Sequence, residues 1–193
     1  VSDQTRLAVL TAKAVLAGLN GTIAEALEYL EEAGGFVQDA QIRQVSRFFT
    51  YRGIVRAWAA EWDAAEADFE HSRSLADQAA DRVGIMTQWN NLACVALERG
   101  DWSIAQERLD KAAQLQAGLE LSNDTSLPII LNEGNLSFYQ GFLAKAAETF
   151  DSAARICHAQ ASSDRMAEVI ACQGLVALQR RELVRAQGRW EIL

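Results

Sequence analysis

Trp89-Asn90-Asn91-Leu92-Ala93-Cys94-Val95-Ala96-Leu97-Glu98-Arg99-Gly100-Asp101-Trp102-Ser103-Ile104-Ala105-Gln106-Glu107-Arg108-Leu109 reads as two helices and the turn between them. Trp89, Leu92, Ala93 and Ala96 recur at three and four, which places them on one helix face. Gly100 then stops that helix, because glycine tolerates the left-handed conformation, and Asp101 is placed to cap the next one through its side chain. Trp102, Ala105, Leu109 and Ala112 resume the same spacing. An alanine where two helices cross lets them approach, and the bulky residue one turn later fills the space beside it.

Working outward, the same unit recurs through the chain. Its anchor alanines are Ala26, Ala65, Ala105, Ala146 and Ala186, each followed four residues later by Leu30, Phe69, Leu109, Phe150 or Trp190. Twelve residues before each anchor stands a small residue: Ala14, Gly53, Ala93, Gly134 and Gly174. Anchor spacings of 39, 40, 41 and 40 residues mark a stack of helical hairpins, none of which can bury its apolar stripe alone. First helices are expected near 5–19, 40–59, 84–99, 126–140 and 164–180. Second helices are expected near 22–34, 62–79, 102–117, 143–159 and from 182 onward.

This pattern resembles the tetratricopeptide repeat (TPR), whose Trp, Leu-Gly, Tyr, Ala and Phe are matched by Trp89, Leu92-Ala93, Ala96, Ala105 and Leu109. Gly21, Gly100 and Gly141 take the turn position of units one, three and four. Ile23, Trp62, Trp102, Leu143 and Leu183 take the large apolar site three before each anchor. The chain departs from the family pattern at Lys13, Arg52, Glu133 and Gln173, where the family has Leu, and its period exceeds the family's usual value of about 34. The resemblance implies an all-α, right-handed α-solenoid of five antiparallel helix-turn-helix repeats (5–38, 39–80, 81–120, 121–161 and 162–193), forming one domain over 1–193.

Composition agrees. Half of the 193 residues are apolar and Pro128 is the single proline, which favours helix. A net charge of −8 opposes a nucleic-acid partner, since phosphate binding needs a basic stripe. No apolar run approaches the roughly 20 residues of a membrane span, and Cys94, Cys157 and Cys172 lack metal-ligand spacing. A cytoplasmic chain with no cofactor, no metal and no membrane partner is expected. No catalytic motif is present, and an all-helical enzyme would need a convergent acid, base or nucleophile set that these residues do not supply.

The resemblance further implies that first helices line a concave groove where a protein or peptide segment binds. Residues 18, 14, 11 and 7 before each anchor share that helix face. They are Ala8, Ala12, Val15 and Leu19; Arg47, Tyr51, Ile54 and Trp58; Thr87, Asn91, Cys94 and Glu98; Pro128, Asn132, Asn135 and Tyr139; and Glu168, Cys172, Leu175 and Gln179. The expected partner-binding residues are Arg47 for a carboxylate, Tyr51, Trp58 and Tyr139 for apolar side chains, and Asn90, Asn91, Asn132 and Asn135 for peptide backbone. The asparagines equally suit capping or bridging of neighbouring helices. A ligand-sensing domain of a signalling or transcription regulator is the alternative reading of the same groove. Arg52 and Arg56 occupy another face, where Glu25, Glu28, Glu31 and Glu32 are the expected ion-pair partners. The link 121–126 is expected to be the most mobile inner segment. Val169, Ile170, Leu183, Trp190 and Ile192 are expected to lack cover, implying either further repeats in a parent protein or self-association through that end.

Overall fold

A computed structural model describes residues 2–119, 123–160 and 163–191, and among them it contains ten helices. These are α1 (Asp3–Leu19), α2 (Ile23–Gly34), α3 (Ile42–Trp58), α4 (Trp62–Gln78), α5 (Arg82–Arg99), α6 (Trp102–Ala117), α7 (Asn123–Tyr139), α8 (Leu143–Gln160), α9 (Ser163–Gln179) and α10 (Leu183–Trp190). Most of the expected boundaries hold to within two residues. Helix α7 begins three residues early, which places Pro128 in its second turn instead of its first. Most of the link 121–126, and Ile192, lie outside the residues whose side chains are described.

The turns inside the hairpins repeat one device. Gly21, Ala60, Gly100, Gly141 and Arg181, each five residues before an anchor alanine, have φ between 59° and 81°. The next residue's N–H reaches back to the helix just ended: Thr22 to the Ala17 carbonyl at 2.9 Å, Glu61 to Arg56 at 2.9 Å, Phe142 to Ser137 at 2.8 Å and Glu182 to Ala177 at 2.9 Å. This is the Schellman arrangement, which satisfies carbonyls left over at the helix end. It leaves the following residue at ψ near 62–66°, so Thr22, Glu61, Asp101 and Glu182 begin the second helix without a side-chain cap. The capping expected of Asp101 is therefore replaced by its backbone carbonyl, which accepts from Ala105 N at 2.9 Å.

The chain forms two compact units, Val1–Arg99 and Gly100–Leu193. In the first, Leu7, Leu10 and Ala14 of α1 and Leu30 and Ala33 of α2 form a core that Phe48 and Val55 of α3 complete. Ala65 and Phe69 of α4 then pack with Leu92 and Val95 of α5. In the second unit, Leu127, Leu131, Ala146 and Phe150 of α7 and α8 pack with Val169 and Val176 of α9. Val169 and Ile170 are buried, contrary to the expectation that they lack cover, and Val169 packs against the preceding hairpin. Leu183 and Trp190 are exposed as expected.

The small residue and the bulky follower meet inside the hairpins α3–α4, α7–α8 and α9–α10. A methyl group built on Gly53 would lie 2.6 Å from the Phe69 ring, and one on Gly134 would lie 2.5 Å from Phe150. Gly174 stands equally tight against Trp190. The polar residues that replace the family's leucine find local partners. Lys13 sits 5.4 Å from the Tyr29 ring centroid, Arg52 grips Asp68, and Gln173 Nε2 donates to Asp151 Oδ1 at 2.6 Å.

Candidate functional site

In the first unit α3 packs against both α1 and α5, so three consecutive first helices present the predicted face. A cavity of about 430 Å³ opens between α1 and α3. Its walls are Ala8, Ala12 and Val15 on one side and Arg47 and Tyr51 on the other, over a floor of Leu7, Thr11 and Phe48. A second cavity, of about 220 Å³, lies between α3 and α5, walled by Ile54, Trp58, Asn91, Cys94 and Glu98 and backed by Trp62 and Phe69 of α4. Every residue predicted for this face on the three helices, except Leu19 and Thr87, lines one cavity or the other. Sequence spacing did not single out Gln44, Leu16 or the floor residues, since only contact reveals what lies beneath a helix face.

The charges divide into two sets. Arg52 donates to both carboxylate oxygens of buried Asp68, at 2.9 and 2.6 Å, and Arg56 adds a third bond at 2.8 Å. The expected partners Glu25, Glu28, Glu31 and Glu32 on α2 take no part. Contact between Gly53 and Phe69 sets Arg52 beside Asp68, one residue earlier on each helix, and α3 and α4 of the same hairpin satisfy the pair. Arg52 also lies 5.1 and 4.8 Å from the ring centroids of Phe48 and Phe49. Arg47, by contrast, is exposed at the larger cavity and forms no ion pair with the described residues. Gln44 contributes a buried Oε1 that accepts no hydrogen bond from them.

The predicted asparagines do not behave alike. Asn91 lines the smaller cavity, and its Nδ2 donates to Gln88 Oε1 at 3.3 Å. Gln88 Nε2 in turn donates to Thr50 Oγ1 at 3.0 Å, and the Thr50 hydroxyl lies 2.8 Å from that of Ser72. This chain ties α5 to α3 and α4, so half of the Asn91 amide is committed to structure. Asn90, about 100° further round the helix, is buried and lines neither cavity. Trp58 is exposed and stands over Gly18, where a methyl group would come within 2.5 Å of its ring. Gly18 is therefore a positioning residue that sequence reasoning missed.

In the second unit, α7 carries Asn132 and Asn135, both partly buried, and Tyr139, whose exposed ring meets Phe138 edge-on at 5.9 Å. Cys172 Sγ on α9 donates to Asn135 Oδ1 at 3.9 Å, joining two residues predicted for one face. Burial, and next the charge of Glu168, push the Cys172 thiol up to about 11, so at neutral pH it is a protonated donor and a poor nucleophile. Glu133, beside Asn132, has its carboxyl held above the ordinary range by burial, with Lys145 opposing and Asp110 adding to the rise. Among the described residues no cluster of His, Cys, Asp or Glu has the makings of a metal site, and no helix is long and apolar enough to cross a membrane.

No protein-family model matches the sequence, and no curated protein matches it. Solved structures do match. BtubC (BKLC) from P. vanneervenii is 14% identical with a TM-score of 0.71, over 93% of this chain and 75% of that one. The nearly identical TPR-like repeats of a kinesin light chain from Podosopora anserina are 15% identical with a TM-score of 0.67, over 97% and 93% of the two chains. NprR, in complex with its cognate peptide NprX, is 11% identical with a TM-score of 0.50, over 98% of this chain and 66% of that one. At these identities the likeness establishes the fold, an all-α array of TPR-like hairpins.

Proposed function

We propose that this TPR-like array is a protein-interaction module and that the first-helix face of residues 1–99 holds an extended segment of a partner protein. The observation that carries the reading is the pair of apolar cavities on successive helix interspaces, lined by the residues that the repeat register assigns to the groove. The larger one falls within the usual range of about 300–1,000 Å³ for a ligand site, and Arg47 places an uncommitted cation at its edge. An apolar side chain with a carboxylate close by in the partner matches that combination. Trp58 and Tyr51 supply the rigid aromatic area that dominates affinity at such sites, while Asn91 Oδ1 fixes backbone register; on the second unit Asn132, Asn135 and Tyr139 are proposed as a separate contact surface. The peptide in the NprR complex supports peptide over small molecule. Nothing in this arrangement calls for catalysis, a cofactor or nucleic acid, and the setting is read as cytoplasmic. A second contact, self-association through α9 and α10, is supported by the exposure of Leu183 and Trp190.

A displayed library of random peptides, panned on the full chain, tests the groove. Binders are expected to share apolar residues with a neighbouring Asp, Glu or C-terminal carboxylate. Trp58→Ala is expected to weaken them about tenfold or more, which is about 1.4 kcal/mol, and Arg47→Glu to remove the acidic preference. Asn91→Ala should do less, because its Nδ2 is already engaged. Selected peptides that bind both Trp58→Ala and Arg47→Glu at full strength would place the site elsewhere.

A further inference from the structure

The two cavities of the first unit lie in successive interspaces, one between α1 and α3 and the next between α3 and α5, so a segment that fills both crosses α3 once. Packed helices stand about 8–10 Å apart, axis to axis, and this sets the separation of the two side chains that the segment must supply. Each cavity also offers an amide oxygen in want of a donor. Gln44 Oε1 is buried at the larger one and accepts no hydrogen bond from the described residues. At the smaller one the Asn91 Nδ2 is engaged by Gln88 Oε1, which leaves Asn91 Oδ1 for a ligand. Both oxygens call for N–H groups, and a partner segment carries these on its backbone.

Three backbone forms compete for that description. Side chains on one face of a β-strand stand about 6.4–6.8 Å apart at i and i+2 and about 13 Å apart at i and i+4, and neither value fits. An α-helix brings i and i+7 to about 10.5 Å, but beyond its first turn every N–H is bonded to the helix's own carbonyls, so Gln44 and Asn91 stay unanswered. Polyproline II has three residues per turn and rises about 3.1 Å per residue, so i and i+3 share a side about 9.3 Å apart, and none of its N–H groups is bonded internally. We infer that the occupant is a polyproline-II segment of a partner protein. Its apolar side chains at i and i+3 enter the two cavities, the N–H groups of those residues donate to Gln44 Oε1 and Asn91 Oδ1, and an acidic neighbour of the first meets Arg47. The inference rests on the groove reading above and gives the segment a conformation and a spacing. The two intervening positions point away from the cavities and suit proline, whose ring presets φ; the anchor positions exclude it, since proline has no N–H to give. Trp58, which is exposed, and Tyr51, which is partly so, provide flat aromatic faces of the kind on which such segments lie.

Fluorescence anisotropy of synthetic peptides on the full chain tests this. The peptides are Glu-Leu-Pro-Pro-Leu, Glu-Leu-Pro-Leu and Glu-Leu-Pro-Pro-Pro-Leu, each N-acetylated and carrying a neutral dye at its C-terminal end. The two-proline spacing is expected to bind about tenfold or more tighter than the others, which bury one leucine instead of two. N-methylation of its first leucine removes the donor to Gln44 and is expected to weaken binding about two- to tenfold. Gln44→Leu deletes an acceptor that has no partner, so the variant folds, as circular dichroism will verify, and it is expected to bind the methylated and unmethylated peptides alike. Trp58→Ala is expected to flatten the preference for spacing. Equal binding of the three spacings overturns the inference, as does N-methylation that weakens binding to Gln44→Leu as much as to the parent chain. If none of the three binds while peptides selected from the random library bind in a manner that depends on Trp58, the polyproline-II form is overturned and the groove stands. Peptides from both sources that ignore Trp58→Ala and Arg47→Glu overturn the groove reading and the inference with it.

Discussion

Gly134→Ala adds a single methyl group, and at a helical position in open space it would stabilise the protein by about 1 kcal/mol through helix propensity. Here the methyl carbon would stand 2.5, 2.8 and 2.9 Å from three carbons of the Phe150 ring. Phe150 is fully buried and has nowhere to move. Overpacking of this kind costs about 1–3 kcal/mol, so the net change is a loss of up to about 2 kcal/mol. The chain itself indicates the remedy. Glycine precedes the aromatic followers (Gly53 with Phe69, Gly134 with Phe150, Gly174 with Trp190), whereas alanine precedes leucine (Ala14 with Leu30, Ala93 with Leu109). Adding Phe150→Leu to Gly134→Ala should therefore recreate a combination that the chain already uses twice. Urea unfolding of both single variants and the double variant gives a cycle, and the double is expected to be more stable than the sum of the singles by about 1–3 kcal/mol. Strict additivity, together with a stabilised Gly134→Ala, would refute the close contact and the register built on it.

Asp68→Asn removes the carboxylate from two guanidinium groups whose side chains are 25% and 27% exposed. Breaking a buried pair costs roughly 3–5 kcal/mol, and partial solvation of the arginines puts this loss near about 3 kcal/mol; a urea midpoint corresponding to less than about 1 kcal/mol would show the cluster to be a surface pair. Glu133→Gln is expected to raise the melting temperature at pH 7. Burial lifts the Glu133 carboxyl above its unfolded value, so the folded chain binds that proton more tightly, and stability falls as pH rises through the interval between the two values. The gain should therefore vanish at acidic pH, where the carboxyl is protonated in both states; an equal gain at both pH values would assign it to something other than ionisation.

Helices, turns and register were legible because one repeat, read five times, averages out local irregularities. Ala26, Ala65, Ala105, Ala146 and Ala186 are all buried as their position requires. The groove face was legible for the same reason: a period of 3.6 fixes which residues share a side. What lies across from a side chain was not. Sequence proximity points Arg52 to glutamates one helix back, and only the contact between Gly53 and Phe69 in the fold shows that Arg52 lies alongside Asp68. Asn90 and Asn91 look equivalent as letters, yet they stand about 100° apart on α5 and only Asn90 is buried. Nor does a sequence show that Gln88, at a position otherwise held by apolar residues, is buried because Thr50 accepts its hydrogen bond.

The left-handed residue in each hairpin turn has a consequence for how the array comes apart. Where it is Gly21, Gly100 or Gly141 the turn is relaxed; at Ala60 and Arg181 the side chain opposes the conformation, at an expense of roughly 1 kcal/mol or more. Those two hairpins are held shut by packing, against the preference of their turns. For α3 and α4 the Asp68 cluster and the buried Phe69 provide that hold. For α9 and α10 the corresponding aromatic, Trp190, is only partly enclosed. Of the two strained hairpins α9–α10 is therefore the first to open on heating, and amide protons of α10 exchange with solvent ahead of those of α4.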